Sequence, residues 1–277
     1  MVRRIKNIKM NEHIVKNYWE NKHPGLKRNK HVVGTKIFFN EMEKERYGSI
    51  FQYKYIKEKS EFNKYKNKKV LEIGIGFGTE ILQYARNGAK VYGIDLTNSA
   101  IRMSNKRFKL ENLTGIFQQA NFKNLPYKDN TFDLVTSFGV LHHSKETQQG
   151  INEIYRVLKP GGRFIIMLYH KGFKYYFMKL FFHGVLRGEI LKYSSQQIVS
   201  RHSENFGNCP LTKVYNRKEA KKMFSRFKQL EMECFRLDDH FRINGKIFSI
   251  TKFLLPWKIY RIVENKLGWN MLIKGYK

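Results

Sequence analysis

Short apolar runs bounded by glycine or proline alternate with stretches of helical spacing through the middle of this chain. Val70-Leu71-Glu72-Ile73 is short and apolar enough for a strand buried on both faces. It breaks into Gly74, Gly76 and Gly78, then resumes from Glu80 as Ile81-Leu82-Gln83-Tyr84-Ala85-Arg86, with the period of a helix. Residues 89–95 predict a second strand, 99–109 a helix, 115–120 a third strand and 132–137 a fourth. A helix over 147–158 stops at Lys159-Pro160-Gly161-Gly162, and a fifth strand runs over 163–170. A helix over 217–227, a sixth strand over 229–236 and a closing strand over 269–276 complete the pattern. Strand and helix in alternation predict an α/β fold with a doubly wound, mostly parallel sheet. In such a sheet the glycine turn lies at the carboxyl end of its strand, where ligands bind.

The ends of the chain read differently. Residues 1–30 are basic and polar, with Tyr18-Trp19 and His23-Pro24-Gly25 as landmarks, and 36–58 predict one or two helices with aromatics along one side. Residues 171–192, with Phe173, Tyr175, Tyr176, Phe177, Phe181 and Phe182, are too apolar for a solvated loop and predict a helical lid. Residues 193–215 are polar and read as loop. Residues 246–265, with Phe248, Ile250, Phe253 and Trp257 among basic side chains, form a second apolar-basic insertion interrupted by Pro256. The expected organisation is an N-terminal helical cap over 1–66 and one domain over 67–277, with insertions at about 171–192 and 246–265.

The glycine turn does not make a good dinucleotide cradle. G-x-G-x-x-G would need glycine where Thr79 stands, and Gly78 falls one position early. Glu72 would also repel a pyrophosphate so close by. Asp95, ending the second strand, can accept hydrogen bonds from both ribose hydroxyls of an adenosine.

Glu72-x-Gly74-x-Gly76-x-Gly78-Thr79 followed by Asp95 resembles the binding motif of the class I S-adenosylmethionine-dependent methyltransferases. It is most similar to the broad group that includes the ubiquinone and menaquinone methyltransferases. Three further blocks agree in order: 121–126, 132–143 and 153–162. The resemblance implies a Rossmann-like seven-stranded sheet whose last strand is antiparallel, and S-adenosyl-L-methionine as cofactor. It implies cofactor contacts from Glu72, Gly74, Ile75, Gly76, Gly78, Thr79, Asp95, Leu96, Asn121, Phe122, Ser137 and Phe138. Asn121 departs from the family, which usually has an aspartate there for the adenine amino group; its amide accepts without charge assistance. His142 and His143 follow the fourth strand beside the expected methyl position, and imidazoles titrate near neutrality, so they are the first general-base candidates. Tyr169 and His170 leave the fifth strand on the same side and are the second pair. Relatives often pack an N-terminal helical segment over the cleft, which makes Trp19, Phe39, Arg46 and Tyr47 candidate pocket residues beside an ordinary packing role.

Composition narrows the partners. The chain has 277 residues, 42% of them hydrophobic, and a net charge of +30. Residues 1–69 hold 19 Lys/Arg against 7 Asp/Glu, 70–170 hold 12 against 8, and 171–277 hold 22 against 8. The motif-bearing centre is nearly balanced and the flanks are basic, which favours an anionic partner or simply decorates a solvated surface. Cys209 and Cys234 have no metal-site spacing and suit a reducing compartment, and no metal is expected. No signal peptide or membrane-spanning run is evident, so the expected location is cytoplasmic, with peripheral contact to an anionic membrane surface as an option. The motifs of exocyclic-amino and cysteine-dependent base methyltransferases are absent. The expectation is therefore an enzyme that methylates a small-molecule or lipophilic acceptor by in-line transfer. An RNA-modifying methyltransferase and a non-catalytic cofactor-binding subunit rank behind it.

Overall fold

A computed structural model describes residues 12–22, 26, 29–48, 54–204, 207–237, 240–243, 246–249 and 254–277. The His23-Pro24-Gly25 landmark and the insertion residues Ile250 and Phe253 lie outside them. Ahead of the sheet come α1 (Glu12–Asn21), α2 (Lys36–Gly48) and α3 (Lys54–Lys59). The body alternates β1 (Lys69–Ile73), α4 (Thr79–Arg86), β2 (Lys90–Asp95), α5 (Asn98–Leu110), β3 (Ile116–Gln119), β4 (Phe132–Phe138), α6 (Thr147–Val157) and β5 (Leu158–Tyr169). After β5 the chain leaves the sheet through a wide helix, Lys174–Leu186, and α7 (Ser195–Ser203), then returns by α8 (Arg217–Met223) and β6 (Lys228–Phe235). A hairpin of β7 (His240–Ile243) and β8 (Lys246–Ser249), then α9 (Trp257–Leu267), lead to β9 (Asn270–Tyr276).

The sheet order is β3-β2-β1-β4-β5-β9-β6. Strands β1 to β5 pair in parallel, and β9 runs antiparallel to both β5 and β6. This is the expected seven-stranded, doubly wound sheet with an antiparallel last strand. Strand order reverses between β1 and β4, so their carboxyl ends open the crevice in which such sheets bind ligands.

Both faces of the sheet are covered. Along β5, Phe164, Ile166 and Leu168 enter one core with Ile151 and Ile154 of α6, while Ile165, Met167 and Tyr169 enter the other with Leu82 of α4 and Trp269. Burial of each such side chain stabilises the fold by roughly 1.5–3 kcal/mol, which explains why the central strands tolerate so few polar residues.

The departures from the sequence reading are local. Lys159-Pro160-Gly161-Gly162 does end α6, but it already belongs to β5, as an irregularity between the Phe132/Leu158 and Leu134/Arg163 pairs. The stretch 193–215 is not all loop: Ser194 and Gln197 form a reciprocal capping box that starts α7. The helix Lys174–Leu186, expected as a lid, is wound wider than an α-helix, ending with Arg187 N donating to Phe182 O at i−5. The insertion at 246–265 is not one element, because Pro256 caps α9 after the hairpin has closed.

Candidate active site

Three backbone features shape the crevice floor. Gly74, Gly76 and Gly78 have φ of +77°, +50° and +74°, a region that side-chain-bearing residues avoid. The turn folds back so that Gly74 N and Ile75 N both donate to Ile94 O, at 2.8 and 3.1 Å. A Cβ on Gly74 would overlap the side chain of Val140, so this glycine lets the turns after β1 and β4 close on each other.

Asp95 ends β2 and fastens this turn. Its Oδ2 accepts from Gly76 N at 3.0 Å, and its Oδ1 accepts from Thr97 N at 2.9 Å and Thr97 Oγ1 at 2.7 Å. Burial pushes the Asp95 carboxyl up from its ordinary range, and the donors from Thr97 and Gly76 work against that push. Leu96, next along, accepts from Gln119 Nε2 through its carbonyl at 2.9 Å.

Glu72, in β1 just ahead of the turn, is incompletely satisfied. Its side chain is 2% exposed and its Oε2 has no hydrogen-bond partner. Burial drives its carboxyl well above the usual carboxylate range; Glu80 adds to that and Arg46 opposes it. Arg46 reaches in from α2 but is ion-paired with Glu80. A buried carboxylate short of a donor fits the ammonium end of an amino-acid ligand, and Asp95 fits its nucleoside end.

The other expected cofactor residues are placed as follows. Thr79 turns its hydroxyl to Arg107, whose Nη1 donates to it at 2.8 Å; Arg107 Nη2 reaches Glu43 of α2 at 2.9 Å. Arg107 is 1% exposed and so clamps the back of the glycine turn to α2. Ile75 packs over Gly93, Ser137 donates to Ile73 O at 3.1 Å, and Phe138 borders the second core. Phe122 packs against Gly150 of α6. Asn121 Oδ1 accepts from Lys123 N at 3.0 Å within its own turn, and its Nδ2 donates to Glu12 of α1.

Helix α1 lies across these strand ends. Glu20 accepts from Asn98 N and Ser99 N at 2.9 and 2.8 Å, capping α5 with a carboxylate. Lys123 pairs with Glu12 at 2.9 Å, and the ring of Trp19 meets that of His143 at 4.9 Å. Of the α2 candidates, Phe39 is packed with Phe38, Met42 and Phe77, and Tyr47 donates to Thr79 O at 3.4 Å.

Beyond Val140, three of the four proposed acceptor-site residues come together. The His142 ring lies 4.0 Å from the Tyr169 ring and 4.4 Å from that of His143. His142 is fully buried, and among the described residues neither ring nitrogen has a partner. Burial and the neighbouring His143 hold its pKa well below 6.5, so it is neutral. His143 Nδ1 lies 2.7 Å from Leu211 O; a carbonyl only accepts, so Nδ1 carries the proton and Nε2 points the other way. Nε2 faces Glu204 Oε1 at 3.7 Å, and the Tyr169 hydroxyl donates to that same oxygen at 3.0 Å. Burial lowers the pKa of His143, and Glu204 raises it. Cys209 lies 3.6 Å from His143 Nδ1, and burial pushes its thiol up to about 12, so it stays protonated. Cys234 is likewise a buried free thiol.

His170 does not join this group. Strand alternation sends it to the opposite face from Tyr169, where its Nδ1 is 2.9 Å from Gly268 O. Glu204 carries no site signal in the sequence; it follows α7, a helix inside the polar stretch 193–215.

His183 of the wide helix, Glu189 and His202 of α7 offer ligand atoms all within 4.8 Å of one another. The two imidazoles are stacked face to face at 3.7 Å and 14°, so their lone pairs do not converge, and Glu189 already bonds His202 Nε2 at 2.9 Å. Burial, then His202 and Lys179, depress the His183 pKa to about 4, and Lys179 and Arg187 would repel a cation as well.

Residues 71–166 match the family model described as a methyltransferase domain. Over 99 residues the chain is 39% identical to the demethylmenaquinone methyltransferase of Streptomyces avermitilis, a match covering 35% of this chain and 41% of that protein. It is 32% identical over 112 residues to the ubiquinone/menaquinone biosynthesis C-methyltransferase UbiE of Cronobacter sakazakii, covering 38% and 44%. The matches thus span less than half the length of either relative. Among solved structures, phosphoethanolamine N-methyltransferase 2 of Haemonchus contortus in complex with S-adenosyl-L-methionine superposes with a TM-score of 0.58 at 18% identity, covering 94% of this chain and 59% of that one. With the topology, the glycine turn and Asp95, these similarities identify residues 71–166 as a methyltransferase domain of the class I fold, similar in sequence to the ubiquinone/menaquinone methyltransferases.

Proposed function

We propose that this chain transfers a methyl group from S-adenosyl-L-methionine to a small lipophilic acceptor bound against His142, His143 and Tyr169. One observation carries the reading: a glycine turn after Glu72, a buried carboxylate whose Oε2 has no partner among the described residues, is joined through the Gly74–Val140 contact to a buried cluster of imidazole and aromatic rings.

When bound, S-adenosyl-L-methionine supplies an electrophilic methyl on a positively charged sulfur. The chain must hold it, align the acceptor, exclude water and remove a proton if the acceptor bears one. Asp95 is suited to the ribose hydroxyls and Glu72 to the ammonium, with the Gly74–Gly78 backbone allowing close approach. His142, neutral and without partners, can donate to or accept from a polar acceptor atom. His143 Nε2 is the proton acceptor, and Glu204 stabilises the imidazolium that forms. Trp19, Tyr169 and Trp269 give the cluster an apolar wall. The relatives named as quinone methyltransferases accord with an aromatic, lipophilic acceptor.

The test is incubation with labelled S-adenosyl-L-methionine and fractionated cell extract. Label in the lipid or small-molecule fraction, lost in Asp95→Ala, is the expected result. Label in RNA would make the basic flanks a substrate surface, and cofactor binding with no labelled product would make the chain a non-catalytic subunit.

A further inference from the structure

We propose that the wide helix Lys174–Leu186 and α9 form one docking face for the surface of an anionic lipid bilayer. Methyl transfer is not needed for this inference.

The two helices present large apolar side chains to solvent. Tyr176, Phe177 and Leu186 on the first, and Trp257 and Ile262 on the second, are 58%, 46%, 62%, 61% and 58% exposed. The surfaces are continuous where the helices meet. Phe173, which caps the first helix, and Tyr176, Phe177 and Phe181 on it line a groove of about 360 Å³ with Leu267, the last residue of α9. Along that groove Phe173 stacks on Phe177 at 5.1 Å and Phe177 on Phe181 at 5.6 Å, so the aromatics stand as a ridge. A soluble domain rarely leaves so many large side chains uncovered on adjoining elements without a partner.

Charge selects the occupant. Between 171 and 192 the only acidic residue is Glu189, held by His202; between 254 and 267 it is Glu264, which is 3% exposed and ion-paired with Arg261. Arg187 and Lys192, just after the first helix, and Lys258 and Lys266, on α9, are exposed. Aromatic side chains on segments that carry exposed cations and no exposed acid match a headgroup layer of negative charge, with the rings at the level of the acyl boundary. A second copy of the chain would bring the same cations face to face, at +30 per chain. No described helix is long and apolar enough to cross a membrane, so the face lies on the bilayer.

Co-sedimentation of the full chain, without cofactor, tests this with vesicles of phosphatidylcholine alone and of phosphatidylcholine mixed with phosphatidylserine. Binding to the mixed vesicles, weakening at least about tenfold as salt shortens the screening length, is expected. The combined variant Phe177→Ser, Phe181→Ser, Trp257→Ser should bind at least about tenfold more weakly with an unchanged unfolding temperature, because these side chains are exposed. Lys258→Glu with Lys266→Glu should remove most of the preference for phosphatidylserine. Three results would overturn the proposal: no binding at low salt, undiminished binding by the aromatic variant, or self-association that the aromatic variant abolishes in a chain that ignores vesicles.

Discussion

The Nε2 of His143 and Oε1 of Glu204 face each other at 3.7 Å, and the Tyr169 hydroxyl donates to the same carboxylate oxygen. Nδ1 of His143 is fixed to Leu211 O, so the ring can be protonated only on the side that Glu204 faces. The arrangement resembles an imidazole base steadied by a carboxylate, with the Tyr169 hydroxyl fixing which carboxylate oxygen points inward.

His143→Asn should therefore lower turnover by about 10²–10⁴ while leaving cofactor affinity unchanged, since it removes a base rather than a binding group. Glu204→Gln should do less to turnover and more to its pH profile. A base must be unprotonated to work, and burial already puts the His143 pKa below 6.5, so the acid limb of activity lies below pH 6.5. Glu204 holds that pKa up, and removing its charge should slide the limb further down. Rate measurements across pH check both variants. A limb that stays put in Glu204→Gln would reduce Glu204 to packing.

Glu72 predicts a conflict between stability and binding. Its carboxyl is held above 4.5 in the folded state, so above that pH ionisation costs the folded chain stability, a cost removed on protonation. Glu72→Gln should raise the stability of the ligand-free protein at neutral pH by about 1 kcal/mol, and that gain should vanish below pH 4.5. The same change should weaken S-adenosyl-L-methionine binding at least about tenfold, because the carboxylate is lost to the ammonium. Thermal unfolding with and without the ligand reads both effects. A variant less stable in both conditions would show that Glu72 is structural.

The sheet was legible because its signals are local: apolar runs, glycine breaks and helical periods each fall within a few residues. Glu72, Gly74 and Asp95 were legible because they share one motif with fixed spacing. Glu204 carried no such signal. It reaches His143 only because α7 folds back beside the strand ends, and that return depends on packing against the helix Lys174–Leu186. The role of Thr79 was hidden for the same reason: its partner Arg107 lies on α5, and nothing near residue 79 announces a buried guanidinium.

Gly74→Ala should destabilise the protein by more than a left-handed backbone alone explains. A φ of +77° costs a side-chain-bearing residue about 1–2 kcal/mol, and here the added Cβ also overlaps Val140. Val140→Ala should recover the steric part and leave the backbone part. Denaturant titration of the two single variants and the double variant gives that coupling directly. Strict additivity would mean that the two turns do not press on each other.

The last prediction concerns His142, buried without a partner for either nitrogen. Its folded pKa lies well below 6.5, so above that pH both states are neutral and the histidine adds no slope. As pH falls below 6.5 the unfolded chain takes up a proton that the folded chain refuses, and stability drops by up to about 1.4 kcal/mol per pH unit until the folded pKa is reached. His143 and His170, also lowered by burial, add to the same slope. His142→Phe keeps the ring against Tyr169 and removes the proton, so unfolding free energy should become less steep in pH by close to one proton. It should also be higher at neutral pH, because two unsatisfied nitrogens are gone. If His142 meets the acceptor, this more stable variant should turn over far more slowly with cofactor affinity intact. Unfolding titrations at about pH 7 and about pH 5, set beside rates, separate the roles. A stabilised variant with normal turnover would leave His142 as core and His143 as the working imidazole.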